Sequence, residues 1–120
     1  MKLRDKRNKL LRKRLQNGDP VRYRSSGWSL HPRVHSGQEC YYVPVTKPKE
    51  VEVNDIVFCQ VMPSEKYFAH LVKRKDCQWV HESDSKQGEE TWFYIANMGG
   101  HVNGYCTMKT IYGKLIRVKD

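Results

Sequence analysis

The chain has 120 residues, 38% hydrophobic and 29% charged, with a formal net charge of +9. That length suits one domain with a modest core. No apolar run approaches the roughly 18–20 residues of a membrane span, and no apolar stretch follows the basic start, so neither a spanning helix nor a secretory signal is read. The expectation is a soluble protein kept inside the cell, in cytoplasm or nucleus, with reduced thiols.

The charge is concentrated at the start. Residues 1–24 carry ten Lys or Arg against Asp5 and Asp19, which leaves +1 for the remainder. Residues 2–16 read as a helix, with Leu3, Leu10, Leu11 and Leu15 on one narrow stripe. Asn17-Gly18 is a stop signal, and Asp19-Pro20 opposes resumption. This divides the chain into a basic N-terminal helix, 1–17, and a mostly β domain, 18–120. A basic head of this kind attracts nucleic acid or an acidic protein. The candidate contacts are Lys2, Arg4, Lys6, Arg7, Lys9, Arg12, Lys13 and Arg14, with Arg22 and Arg24 just beyond the helix. Tyr23, Trp28, Tyr41 and Tyr42 are either stacking partners for such a ligand or core residues.

Val21-Arg22-Tyr23-Arg24 alternates as a half-buried strand does. Gly27-Trp28-Ser29-Leu30-His31-Pro32 follows, closed by Gly37. Gly27 admits a sharp turn, and Pro32 stiffens the chain after it. Together they form a bent platform that presents the Ser29 hydroxyl to one side, as a nucleophile requires. Cys40–Val43 is the next strand. Residues 46–52 are a surface connection.

Ile56–Val61 is nearly all apolar, as suits a strand covered on both faces. Tyr67–Val72 is expected to return antiparallel to it. Residues 73–90 are polar, with Trp79-Val80 a candidate short strand and 84–88 a candidate mobile tip. Thr91–Ile95 is an aromatic, β-branched strand. Asn97–Gly100 and Asn103-Gly104 read as turns. Ile111–Val118 closes the chain, with Gly113 marking a bulge. The sum is one helix and about seven short strands.

Serine requires a general base at neutral pH. His70 and Lys73 are three apart, so only one can face Ser29 from a regular strand. His70 sits in an apolar run, where burial keeps the imidazole neutral and able to accept a proton. Lys73 begins a basic patch with Arg74 and Lys75 and is read as solvated. The cysteines, Cys40, Cys59, Cys77 and Cys106, have no metal-ligand spacing. His31 and His35 are four apart but separated by Pro32. No cofactor and no metal site is expected.

These segments resemble the LexA repressor/signal peptidase superfamily of serine peptidases. Its serine box is similar to Gly27-Trp28-Ser29-Leu30-His31-Pro32 with Gly37. Its second box is similar to Asn54-Asp55-Ile56-Val57-Phe58, with Asn for Gly at a position where Asn tolerates positive φ. Ala69-His70-Leu71-Val72-Lys73 resembles the histidine form of the base segment, as in endoplasmic reticulum signal peptidases. Ile111-Tyr112-Gly113-Lys114-Leu115 resembles the family's closing Gly-Lys strand. The resemblance spans residues 18–118. It implies a β-rich fold with Ser29 as nucleophile and His70 as base, a candidate serine endopeptidase acting on a polypeptide.

The chain also departs from that pattern. Gly27 stands where signal peptidases often place a serine that helps the oxyanion hole, which leaves backbone N–H groups such as that of Ser29. The carboxylate that follows the base in histidine-type members is missing. Asn97 or Asn103 is then the candidate to orient the imidazole, as an amide does in papain-like triads. There is no membrane anchor, no helix-turn-helix and no Ala-Gly cleavage pair. Two readings stay open. One is a soluble serine-peptidase-like hydrolase with a Ser29/His70 dyad. The other is a catalytically inactive binding module on the same fold, docking through its basic helix.

Overall fold

The computed structural model describes residues 3–25, 27, 29–80 and 88–119. Helix α1 (Leu3–Gln16) precedes seven strands: β1 (Val21–Arg24), β2 (Glu39–Pro44), β3 (Ile56–Gln60), β4 (Tyr67–Val80), β5 (Gly88–Ala96), β6 (Val102–Cys106) and β7 (Ile111–Lys119). A single 3₁₀ turn, Pro48–Glu50, lies between β2 and β3. The strands form one antiparallel sheet in the order β1-β2-β7-β3-β4-β5-β6. The mostly β reading with one basic helix is what the structure shows.

β3 lies in the middle and is buried on both faces. Ile56 and Phe58 join one core with Leu11, Leu15, Tyr42 and Tyr112. Val57 and Cys59 join the other with Val72, Phe93, Ile95 and Ile111. This is period-2 alternation with apolar matter on each side, which explains the unbroken apolar run. Cys40, Cys59 and Cys106 are buried free thiols that pack as small hydrophobes.

α1 stops where its sequence signals a stop. Gly18 takes φ +91, and the N–H groups of Gly18 and Asp19 return to the carbonyls of Leu15 and Arg14. These are the two bonds of a Schellman cap. Leu11 and Leu15 anchor the helix, whereas Leu10 is half exposed. Leu15 lies over Gly113, where an added Cβ would come within 2.9 Å of the leucine. That glycine admits the helix as well as accompanying the β3–β7 irregularity beside Phe58.

Two sequence expectations are corrected. β4 does not end near Val72 but continues to Val80, paired with β5 beyond the reach of β3. Trp79-Val80 is therefore the end of a longer strand. Of the candidate mobile tip, residues 84–87 lie outside the described residues, and Gly88 belongs to β5. Asn103-Gly104 is not a turn but the middle of β6. There β6 curls back to the segment after β3, where the backbones of Met62 and Tyr105 exchange hydrogen bonds of 2.8 and 3.2 Å. At Gly104, φ is +154, and an added Cβ would stand 2.5 Å from the Met62 carbonyl oxygen and 3.0 Å from Val61 Cβ. Glycine is present because two backbones approach too closely for a side chain.

Gly104→Ala therefore has to push β6 away from Met62. It is expected to cost about 1–3 kcal/mol, as overpacking does, read as a lower urea midpoint. An unchanged midpoint would contradict this account of the closure.

Candidate active site

Three segments converge. The first is the loop between β1 and β2, which carries Ser29. Its base is closed by Ser25 N–H to the Gln38 carbonyl and Gly37 N–H to the Ser25 carbonyl, both 2.9 Å. The Ser25 hydroxyl donates to the His35 carbonyl, and Arg24 donates to the Gly37 carbonyl, both at 2.8 Å. Gly27 and Gly37 take φ +81 and +90, with open space where a Cβ would stand. They serve backbone conformation. Leu30 and Val34 are buried and hold the loop in the core. Ser29 itself is exposed. Its carbonyl accepts the Met98 N–H at 2.9 Å, which ties the serine loop to the turn between β5 and β6.

The second segment is β4. His70 is 8% exposed, and its ring packs on Phe68 with centroids 4.7 Å apart. Its Nε2 lies 3.0 Å from Ser29 Oγ. The third is β6, whose Asn103 Oδ1 lies 2.6 Å from His70 Nδ1. An amide oxygen can only accept, so the Nδ1 proton is donated to Asn103 and Nε2 presents its lone pair to the serine hydroxyl. Burial pushes the imidazole pKa below its ordinary value, and the Asn103 hydrogen bond opposes that shift without overcoming it. The ring is thus neutral at neutral pH, with one nitrogen held and the other free to take a proton.

Of the two candidate orienting residues, the structure brings only Asn103 to the histidine. The Asn97 amide oxygen accepts the His101 N–H at 3.0 Å and holds the β5–β6 turn. Lys73 is exposed and donates to the Gly100 carbonyl. Asn54 takes φ +77, a backbone conformation that Asn tolerates. Its carbonyl accepts a hydrogen bond from Arg33, which links the turn before β3 to the serine loop. Lys114 reaches the Glu50 carbonyl at 2.7 Å and lies 3.9 Å from Asp55, so the closing strand is tied to the same corner.

Ser29 and His70 open onto a cleft of about 950 Å³. One wall is the start of β4, residues 67–70. Its β3 side is paired, whereas pairing with β5 begins only at Leu71. The opposite wall is α1, through Asp5, Arg7, Asn8, Lys9 and Arg12. The sequence did not signal that the helix would border the serine.

The described basic residues of the head divide between different surroundings. Arg7 lies over the Tyr23 ring at 5.1 Å. Arg12 donates to the Tyr67 hydroxyl at 2.9 Å. Lys6, Lys13 and Arg14 are exposed on the rest of the helix. Arg22 and Arg24 alternate with Tyr23 on β1, so they point to the other face of the sheet. There they lower the Glu39 pKa, after the larger effect of the Tyr41 hydroxyl hydrogen-bonded to it. Lys2 and the Arg4 side chain lie outside the described residues, as does Trp28. Tyr23 and Tyr42 stack on each other at 5.4 Å within the core, and Tyr41 lies under Arg117. Among the described residues no group of three or more His, Cys, Asp or Glu is gathered as metal ligands; the His31 and His35 rings meet edge to face.

No family model, curated protein or solved structure matches the chain.

The geometry fixes the sign of one titration. Histidine NMR on the full chain is expected to give His70 a pKa below the ordinary value of about 6.5. Asn103→Ala should lower it further, because the hydrogen bond that favours the charged ring is lost. A His70 pKa above the ordinary value would contradict the assignment.

Proposed function

We propose that the chain is a serine hydrolase of the endopeptidase type, related in fold to the LexA repressor/signal peptidase superfamily, with Ser29, His70 and Asn103 as its triad. The single observation that carries this reading is the continuous hydrogen-bonded chain from Asn103 through His70 to Ser29. The arrangement satisfies the geometric roles of nucleophile, base and orienter.

In this reading Ser29 Oγ attacks a carbonyl carbon while its proton passes to His70 Nε2. The carbonyl oxygen becomes the oxyanion and is met by backbone N–H groups, that of Ser29 first. Collapse of the tetrahedral intermediate breaks the C–N bond, and His70 returns the proton to the leaving amine. Water then attacks the acyl-serine, giving its proton to His70, and the acid leaves as the serine hydroxyl is restored. Asn103 keeps the productive tautomer throughout. Being neutral, it stabilises the imidazolium less than a carboxylate would.

The substrate reading is an extended polypeptide. The start of β4 leaves one edge without a strand partner among the described residues, beside the nucleophile. A peptide entering the cleft can pair with that edge as an added strand. The non-catalytic alternative, nucleic acid docked on the helix, draws support from the exposed Lys6, Lys13 and Arg14. It is weakened by the separate face of Arg22 and Arg24, which takes them out of the helix's charge.

A fluorophosphonate probe should label the wild-type chain on Ser29 and leave Ser29→Ala unlabelled. His70→Ala should slow labelling by about 10²–10⁴, the usual contribution of a positioned base. The rate should rise with pH through a midpoint below about 6.5, where the buried imidazole loses its proton. Equal labelling of wild type and Ser29→Ala, or labelling of neither, would end this reading.

A further inference from the structure

The cleft is not bordered by the sheet alone. α1 turns Leu11 and Leu15 into the core. That packing leaves Asp5, Asn8, Lys9 and Arg12, spaced i, i+3, i+4 and i+7, on the neighbouring face that lines the cleft. Arg7 joins them above Tyr23. From the opposite side come Glu65 and Lys66. The cleft therefore has four cationic side chains against two acidic ones. Among the described residues, ion pairs join Arg74 to Asp76, Lys75 to Glu52 and Lys114 to Asp55. None of the cleft cations takes part in one.

Arg12 adds an independent observation. Its Nη1 donates to the Tyr67 hydroxyl at 2.9 Å and sits 3.5 Å from Gln60 Oε1. The Gln60 oxygen also accepts the Tyr112 hydroxyl at 2.9 Å. The guanidinium lies over both tyrosine rings, 6.0 and 5.7 Å from their centroids. Held on three sides, it keeps a fixed place, so its charge is pre-oriented. Its Nε–H is shielded from water and has no acceptor among the described residues. The residue also lines the cleft, so an incoming carboxylate meets the fixed charge of its guanidinium.

We infer that the helix wall reads the substrate: the cleft selects polypeptides carrying Asp or Glu near the segment that passes Ser29, and Arg7, Lys9 and Arg12 are the specificity-determining residues. The inference rests on the hydrolase reading for its chemistry but not for its binding. Extended chain at the β4 edge runs between the strand and the helix, so an acidic side chain on the helix side meets several cations at once. A walled cleft weakens solvent screening relative to an open surface, which makes charge discrimination larger there than on the outer face of α1. A basic peptide meets repulsion at the same place, which sharpens the choice.

Binding is measured on full-length Ser29→Ala, so that no turnover intervenes. The probes are fluorescein-labelled peptides with a common apolar centre and either Glu, Gln or Lys outside it, together with an oligothymidylate of similar length. The Glu peptide is expected to bind about tenfold more tightly than the Gln peptide at low salt. That preference should shrink to about twofold near 0.5 M salt. Arg7→Gln with Lys9→Gln should weaken the preference, and Arg7→Glu with Lys9→Glu should reverse it towards Lys. Lys13→Glu, on the outer face, should leave it in place. Equal binding of Glu and Gln peptides overturns the inference, as does an equal loss in Lys13→Glu, which would make the effect diffuse helix charge. Tighter oligothymidylate binding that depends on Arg7 and Lys9 overturns it in favour of nucleic acid. Wild-type Ser29 labelled by the fluorophosphonate with no Glu preference retires this inference alone. An unlabelled Ser29 with the preference intact retires the hydrolysis and leaves the cleft as an acidic-peptide site.

Discussion

The hydrogen bond between Asn103 and His70 is the constraint on which the site depends. Without an acceptor at Nδ1, a buried imidazole has no fixed tautomer, and its ring can turn the wrong nitrogen towards the serine. With the amide oxygen 2.6 Å away, the other nitrogen has one role, 3.0 Å from the hydroxyl. The partner is neutral, so the site forms without burying a charge. That avoids the desolvation a buried carboxylate would carry, at some expense in stabilising the imidazolium.

Distant parts of the fold bring those three side chains together. β3 and β4 set the histidine over a two-sided core. The serine loop is pinned by the burial of Leu30 and Val34 and by the Met98 N–H. Asn103 arrives only because β6 curls back to Met62, and the curl is open only because residue 104 is glycine. The turn between β5 and β6, held by Asn97, joins the serine loop to the strand that carries Asn103. Movement in that turn would therefore be felt at both Ser29 and Asn103. α1 closes the far side of the cleft, and Gly113 lets it approach.

How much of this was readable in the residues follows from which signals are local. Ser29 was legible because Gly27 and Pro32 flank it, and Gly27 does take a positive φ. His70 was legible because it interrupts an apolar run and stands in a segment resembling a base box. The choice between Asn97 and Asn103 was not legible. Each sits beside glycines that resemble a turn, and only the long-range approach of β6 to Met62 separates them. The length of β4 was hidden for a different reason. Beyond Leu71 it leaves β3 and pairs with β5 alone, and the polar run from Lys73 to Asp76 carries no apolar pattern that would announce a strand. The charge count singled out the head of the chain and placed Arg22 and Arg24 with the helix. A strand's period of two sends them to the opposite face from Tyr23. That α1 would line the cleft left no mark in its sequence beyond spacing that any half-buried helix shares.

The most direct measurement is a crystal structure of the full chain after reaction with a fluorophosphonate. The account predicts a phosphonyl group bonded to Ser29 Oγ, His70 Nε2 still within hydrogen-bond reach of that oxygen, and Asn103 Oδ1 still on Nδ1. An adduct on another residue, or an imidazole turned away from both Ser29 and Asn103, would contradict it.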